Sequence, residues 1–173
     1  FFEPVPPDLL PSNKVVVEPT GPRFLYEHYL RNSGLVLSGM SRPGDSMGQV
    51  SLFSAAEAAR LSLVNTEMVV LSACSTGDGI TTTGNGVYGL FRSFLVSGSK
   101  SVLMSLWKVD DRATAEFMVR FYKRLKAGEG RSDALAAVQE EFRAGTAGDG
   151  KWKQPYYWAA WQLVGDWRPI EGL

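Results

Sequence analysis

Cysteine and histidine are almost absent from this chain of 173 residues, which contains one of each. A single cysteine cannot form an internal disulfide, and two-cysteine metal spacings are excluded. These counts favour a protein of a reducing compartment, so we expect a cytoplasmic location. They also leave Cys74 and His28 as the only residues of their kinds for chemistry that needs a thiol or an imidazole.

Excess charge and long apolar segments are missing as well. Acidic and basic residues balance at 18 each, which gives no electrostatic reason to expect nucleic acid or a membrane surface as a partner. No apolar run approaches the roughly 20 residues that a membrane-spanning helix needs, and there is no signal-like start. The length fits one soluble domain, and an apolar content of 45% is enough to bury a core.

Strand-like and helix-like segments alternate along the chain. Short apolar or aromatic runs predict four strands, at residues 33–39, 68–73, 101–106 and 156–164. Capped or amphipathic segments predict four helices, at residues 54–61, 87–96, 110–125 and 132–142. This alternation predicts an α/β fold with an open, largely parallel sheet and helices on both faces. Residues 1–32 are rich in proline and predict an irregular segment.

The central feature of the sequence is the segment MVVLSACSTGDGITTTGNGVYG at residues 68–89. Its apolar strand delivers Cys74 to the point where the backbone leaves the sheet, and active sites of open α/β sheets lie at the carboxyl ends of strands. A thiol with an ordinary pKa of about 8.5 is mostly protonated at neutral pH, so a nucleophilic Cys74 needs a neighbouring base or a helix N-terminus. Alternatively, Cys74 is a small buried apolar residue.

Four sequence blocks resemble the CHAT domain, a caspase-like cysteine peptidase family that often follows tetratricopeptide repeats and is related to caspases and separase. The blocks are LSACSTG at residues 71–77, GNGVYGLFRSFLVSGSKSVLMSLWKVDDRAT at 84–114, FMVRFYKRL at 117–125, and PYYWAAWQLVGD at 155–166. They occur in the order and spacing of the family over residues 33–167. The resemblance implies a caspase-like sheet with Cys74 as the nucleophile of a Cys/His dyad and with no metal or cofactor.

The histidine of the dyad is where this sequence departs from the family. There it stands in a His-Gly pair that closes an earlier strand, and the amide of that glycine helps to hold the oxyanion. His28 is followed by Tyr29 and does not come after an apolar strand, whereas Phe1 and Phe2 resemble the residues directly after the His-Gly pair in the family. We therefore expect the strand that carries the base, and at least one strand before it, to be missing. The base would then come from a second chain, and His28 is the alternative.

Acidic and polar residues after the strands are candidates for contacts with a peptide. In related families an acidic group in the region of Asp110 and Asp111 selects a basic residue before the cleaved bond. Alternatively, at least one of them caps the following helix, and both roles coexist if Asp110 faces the cleft while Asp111 caps. Ser75 and Asp78 lie in the glycine-rich loop, which lacks the Lys-Ser/Thr ending of a phosphate-binding loop. Trp107, just past a strand end, is a candidate for the wall of the pocket.

Together these features predict a cysteine endopeptidase of the CHAT type that cleaves peptide bonds through a Cys/His dyad, after a basic residue. The predicted partners are a protein or peptide substrate, together with the N-terminal part of the same precursor or a tetratricopeptide-repeat region. Nucleic acid, a membrane and a cofactor are not expected. The alternative is a non-catalytic caspase-like scaffold or interaction module in which Cys74 only contributes to packing.

Overall fold

A computed structural model of the chain describes residues 34–37, 51–72 and 85–173. These residues form both strands and helices, which confirms the predicted mixed α/β class. In chain order the elements are β1 (Gly34–Leu37), β2 (Ser51–Ser54), α1 (Ala55–Ala58), β3 (Val69–Leu71), α2 (Asn85–Val96), β4 (Ser101–Ser105), α3 (Asp111–Lys126), α4 (Arg131–Ala144), two 3-10 turns (Gly148–Gly150 and Pro155–Tyr157) and β5 (Trp161–Gly165).

The first of two compact units contains β1, β2, α1 and α2. Strands β1 and β2 pair antiparallel, with Gly34 opposite Ser54. Glycine is required at position 34 because a Cβ there would lie 2.5 Å from the carbonyl oxygen of Phe53. The sequence predicted β1 but not β2, because four residues that include two serines give no apolar run.

Ser54 ends β2 and begins α1 through the predicted capping box. Its hydroxyl accepts a hydrogen bond from the Glu57 amide at 3.2 Å, and the Glu57 carboxylate accepts one from the Ser54 amide at 2.7 Å. Helix α1 packs against α2, which starts two residues before the predicted position and ends at Val96 as predicted. The residues that these two helices bury include Ala55, Ala58, Leu90, Phe91 and Phe94.

The second compact unit contains a three-stranded sheet in the order β3-β4-β5. Strands β3 and β4 are parallel, with Leu71 beside Met104, whereas β4 and β5 are antiparallel, with Ser105 opposite Trp161. Every residue of β4 is buried, which confirms the prediction of a strand covered on both faces. In the part of the chain that the structure describes, the predicted parallel sheet is represented by this one parallel pair.

Helices α3 and α4 pack on one face of this sheet and form the main core. The core includes Leu103 of β4 and Trp161 of β5, and the Trp161 ring stacks on Phe117 at 5.4 Å between centroids. Helix α3 buries the residues that were predicted from their four-residue spacing, Ala113, Phe117, Phe121 and Leu125.

The N-terminus of α4 is capped by backbone groups and not by a side chain. The sequence predicted a start at Ser132, but the helix begins at Arg131 with Gly130 as its N-cap. The amides of Arg131 and Ser132 donate to the carbonyls of Arg168 and Trp167, at 3.4 and 3.3 Å. The segment after β5 therefore supplies the acceptors that a capping side chain would otherwise provide.

The aromatic segment 156–164, predicted as a strand, is a strand only in its second half. A 3-10 turn forms first because Pro155, at its start, fixes φ and its carbonyl accepts from the Trp158 amide at 3.2 Å. Strand β5 then begins at Trp161. Among residues 34–37, 51–72 and 85–173, no helix combines the length and the apolar character that crossing a membrane requires.

Candidate active site

The carboxyl ends of β3 and β4 lie at the same edge of the parallel pair. Strand β3 ends at Leu71, beside Met104, and β4 ends one residue further on at Ser105. In sequence, the chain continues from β3 toward Cys74 and from β4 toward Asp110. Because ligands of α/β sheets bind outside the carboxyl ends of parallel strands, this edge is the candidate active site.

Four of the predicted site residues lie outside the described residues: His28, Cys74, Ser75 and Asp78. The last described residue before Cys74 is Ser72, which is exposed at the end of β3. The roles of these four residues therefore stay predictions.

Asp110 is the N-cap of α3. Its Oδ1 atom accepts hydrogen bonds from the amides of Arg112 at 3.0 Å and Ala113 at 2.9 Å. This confirms that one residue of the acidic pair caps the helix, and the capping residue is Asp110. Asp111 is the first residue of the helix and is exposed, and its carboxylate has no hydrogen bond or ion pair with any residue that the structure describes.

The loop between β4 and α3 is anchored by the segment that precedes β5. The amide of Leu106 donates to the carbonyl of Ala160 at 2.9 Å, and the Nε1 atom of Trp107 donates to the carbonyl of Tyr156 at 3.0 Å. Val109, near the end of the loop, is 2% exposed. The loop is therefore held at Leu106, at the indole of Trp107 and at the buried Val109, and this fixes the position of the backbone that leads to the acidic pair.

Aromatic residues are concentrated in the segment that anchors this loop. Tyr156 is 48% exposed, and its ring meets that of Tyr157 edge to face at 5.2 Å. The Nε1 atom of Trp158 donates to the carbonyl of Lys153 at 3.0 Å. Trp107, predicted as a pocket wall, is one of two residues that join this aromatic segment to the end of β4, and Leu106 is the other.

Gln139 of α4 supports the same segment and was not predicted. Its Nε2 atom donates to the carbonyls of Trp158 at 3.3 Å and Trp161 at 3.2 Å. A glutamine beside the apolar stripe of a helix is typical of a solvated face, so the sequence gives no signal for this role. Within the residues described, no group of three His, Cys, Asp or Glu side chains could hold a metal ion.

Comparison with known proteins gives one family and two relatives. The family model described as CHAT domain matches residues 16–166. Tetratricopeptide repeat protein 28 of Mus musculus is 32% identical over 114 residues, which are 66% of this chain and 4% of that protein. The protein of the same name from Homo sapiens is 35% identical over 83 residues, which are 48% of this chain and 3% of that protein. The matched segment is thus a small part of each relative.

Proposed function

The chain belongs to the CHAT domain family, and on that premise we propose that it acts as a cysteine endopeptidase with Cys74 as the nucleophile. The observation that carries the proposal is the parallel pairing of β3 with β4. Leu71 pairs with Met104, and in the sequence Cys74 follows Leu71 by three residues while Asp110 follows Met104 by six. The nucleophile and the acidic pair would therefore leave neighbouring strands at one edge of the sheet.

The proposed reaction proceeds through a thioester. The thiol proton of Cys74 passes to a histidine, and the sulfur attacks the peptide carbonyl carbon to form a C–S bond. The histidine returns the proton to the leaving amine as the C–N bond breaks. Water then hydrolyses the thioester, which releases the carboxylic acid and restores the thiol. The reaction requires neither a metal nor a cofactor.

Two sources of the histidine fit the sequence. His28 is the only histidine of the chain, but it is followed by Tyr29 and not by the glycine of the His-Gly pair. The other source is a second chain, such as the N-terminal part of the same precursor. The thiol reactivity of a His28 variant distinguishes the two sources.

For substrate selection we propose that the acidic pair receives a basic side chain before the cleaved bond. Both aspartates contribute negative charge, but Asp110 already uses Oδ1 to cap α3, whereas the exposed Asp111 carboxylate is free of partners within the described part of the chain. Asp111 is therefore the main recognition group in this proposal. Ser75 and Asp78 are proposed to contact the bound peptide.

The architecture that we propose for residues 1–173 is one caspase-like domain, with an open, largely parallel sheet and helices on both faces. Residues 1–32 would be its irregular, proline-rich segment. The family match over residues 16–166 and the parallel pairing of β3 with β4 support this arrangement.

The name of the two relatives supports a proposal about partners. Tetratricopeptide repeats are helical repeats, and we propose that such a repeat region associates with this domain, in the same chain or in another. Protein or peptide substrates are the other proposed partners, without nucleic acid or a membrane. A cytoplasmic location is proposed because the single cysteine suits a reducing compartment.

A non-catalytic scaffold is the second candidate function. The observation that favours it is the departure of His28 from the His-Gly pair of the family. In a scaffold Cys74 would pack as a small apolar residue, and its thiol would have no base to activate it.

Alkylation of the thiol by iodoacetamide at about pH 6 tests the two candidates. Because Cys74 is the only cysteine, a single added carbamidomethyl group in the intact mass reports on that residue alone. An ordinary thiol is on the order of 0.3% ionised at this pH, so an activated Cys74 should react at least about tenfold faster than N-acetylcysteine amide. A rate no higher than that of the model thiol would favour the scaffold.

The same assay identifies the base. If His28 activates the thiol, the His28→Ala variant should react at the rate of the model thiol. If the excess rate survives in this variant, the activating group lies elsewhere. If the chain gains the excess rate only together with a co-purifying chain that contains a His-Gly pair, the second chain supplies the base.

A further inference from the structure

Helix α3 carries apolar side chains on the face opposite to its buried face. The exposed residues Ala115, Val119 and Tyr122 are spaced by four and three positions, so they form one line along the helix. Val119 is 50% exposed and Tyr122 is 46% exposed. A helix that only covers a core carries charged or polar residues on this side. Tyr122 meets the ring of Phe121 edge to face at 5.8 Å, yet all three side chains of this line stay exposed. We name this line the outer stripe.

Basic side chains flank the outer stripe. Arg112 precedes it at helical spacing, Lys126 follows it, and Lys123 lies beside Tyr122. None of the three cations forms an ion pair with any residue in the described ranges. The helix dipole favours Lys123 and Lys126 in the last turn, but it disfavours Arg112 in the first turn. Stabilisation of the helix therefore does not account for the complete set of charges.

A cleft of about 390 Å³ borders the outer stripe on the side of α4, and Val119 and Lys123 line part of it. The two arginines of this cleft, Arg120 and Arg124, are both paired with its glutamates. Arg120 and Arg124 both donate to the carboxylate of Glu141 on α4. Arg120 also donates to Glu116 and Arg124 to Glu129, at 2.6 and 2.8 Å. Arg112, Lys123 and Lys126 are therefore the cations of this helix that have no ion-pair partner among the described residues.

We infer that the outer stripe binds an amphipathic α-helix of a partner protein, one whose apolar residues are flanked by Asp and Glu. A line of apolar side chains at spacings of three and four residues is a surface against which an amphipathic helix can pack, with its own side chains on either side of the line. The three cations would then pair with the acidic flanks of that helix. A second copy of the chain does not suit this face, because its own three cations would oppose these. The inference does not depend on peptidase activity.

Fluorescence anisotropy with the 173-residue chain and labelled synthetic peptides tests this inference. The probe is a helical peptide of about 21 residues, long enough to be partly helical alone, with Leu at spacings of three and four and Glu on both flanks. A matched peptide keeps every Leu and replaces Glu with Lys. We expect a Kd on the order of 10–100 μM for the acidic peptide and at least about tenfold weaker binding of the basic peptide. Added salt should weaken the acidic complex.

Variants of the chain locate the binding surface. Replacing Val119 and Tyr122 together by Gln removes apolar contact without adding charge, and we expect it to weaken binding of the acidic peptide about tenfold. The matched control is Val96→Gln, which changes a valine that is 65% exposed at the end of α2 and should leave the Kd unchanged. The double variant Lys123→Glu/Lys126→Glu should reverse the preference, so that the basic peptide binds more tightly. Circular dichroism checks that each variant remains folded.

Three outcomes would overturn the inference. Equal binding of the acidic and basic peptides would remove the electrostatic argument. If the Val119/Tyr122 variant binds the acidic peptide as tightly as wild type, or if the Val96 control loses as much affinity as that variant, the peptide binds at another surface. A third outcome is that the wild-type chain binds neither peptide but forms a dimer in analytical ultracentrifugation, and that the Val119/Tyr122 variant is monomeric. This would identify a second copy of the chain as the occupant.

Discussion

The buried guanidinium of Arg131 binds both the main-chain carbonyl and the side-chain carboxylate of Glu67. Arg131 begins α4 and is 0% exposed, and Glu67 lies two residues before β3. The same guanidinium donates to the carbonyl of Arg168 at 2.9 Å. One side chain thus joins the start of a helix, the entry to β3 and the segment after β5. These contacts fix the end of β3 that is opposite to the candidate active site.

The first prediction concerns this buried guanidinium. Arg131→Met keeps an unbranched apolar stem but removes every hydrogen bond of the guanidinium, and we expect the free energy of unfolding to fall by about 3 kcal/mol. Urea denaturation measures the change. The matched control is Arg143→Met, whose pair with Glu140 is on the surface and should not shift the urea midpoint measurably. Equal midpoints for wild type and Arg131→Met would contradict the structural role.

The second prediction concerns stability at low pH. The guanidinium and the amide of Arg168, and then Arg131, hold the pKa of Asp166 well below its usual range. Asp166 therefore stays ionised in the folded chain while an unfolded aspartate takes up a proton near pH 4. Its contribution to stability is complete above about pH 5 and is lost as the pH falls through the folded pKa.

For wild type we therefore expect urea midpoints to fall steeply between about pH 5 and pH 2. The Asp166→Asn variant should start lower and show a shallower decline, because its side chain no longer titrates. Asp149→Asn, at an exposed position, should keep the wild-type slope. Parallel curves for wild type and Asp166→Asn would show that Asp166 is not the group responsible.

Elements with local signals could be predicted from the sequence. The capping box needs only Ser54 and Glu57 at their spacing, and Asp110 stands directly before the apolar repeat that it caps. Strand β4 was predicted because the segment SVLMSL at residues 101–106 is apolar apart from two serines and shows no alternation of polar and apolar residues. The position of Cys74 at a strand end stays a prediction, because Cys74 lies outside the described residues.

Features that depend on partners distant in sequence could not be predicted. The antiparallel placement of β5 beside β4 is a choice of topology that five residues do not encode. Arg131 and Gln139 are polar residues of an amphipathic helix and would normally be assigned to solvent. Their roles arise because Glu67 and the carbonyls before β5 lie where these side chains reach. Such contacts follow from tertiary packing alone.

The third prediction compares two glycines that have positive φ. Gly98, before β4, has φ of +106°, and a Cβ there would lie 3.0 Å from both the Cγ1 and the amide nitrogen of Val64. Gly128, after α3, has φ of +87° and no neighbouring atom within 4 Å. We expect Gly128→Ala to lower the free energy of unfolding by about 1 kcal/mol and Gly98→Ala to lower it further. Equal losses in urea denaturation would mean that the contact with Val64 relaxes freely.

The fourth prediction concerns the cap of α3. Asp110→Ala leaves the amides of Arg112 and Ala113 without their acceptor, so we expect a loss of about 1 kcal/mol in the free energy of unfolding. Asp110→Asn keeps a capping oxygen and should stay close to wild type. Asp111→Asn removes a carboxylate without described partners and should change stability little. A larger loss in Asp111→Asn than in Asp110→Ala would contradict the assignment of the cap.

The same aspartates allow recognition to be separated from stability. If the proposed peptidase selects a basic residue before the cleaved bond, Asp111→Asn should lower kcat/KM for an arginine peptide by about tenfold or more, because the exposed carboxylate supplies the opposing charge. The matched peptide with norleucine in place of arginine should be cleaved equally by both forms. Asp110→Asn keeps the cap and should lower kcat/KM for the arginine peptide less than Asp111→Asn does. Equal losses for both peptides would assign Asp111 a general structural role, and wild-type kcat/KM for both peptides would place the specificity pocket elsewhere.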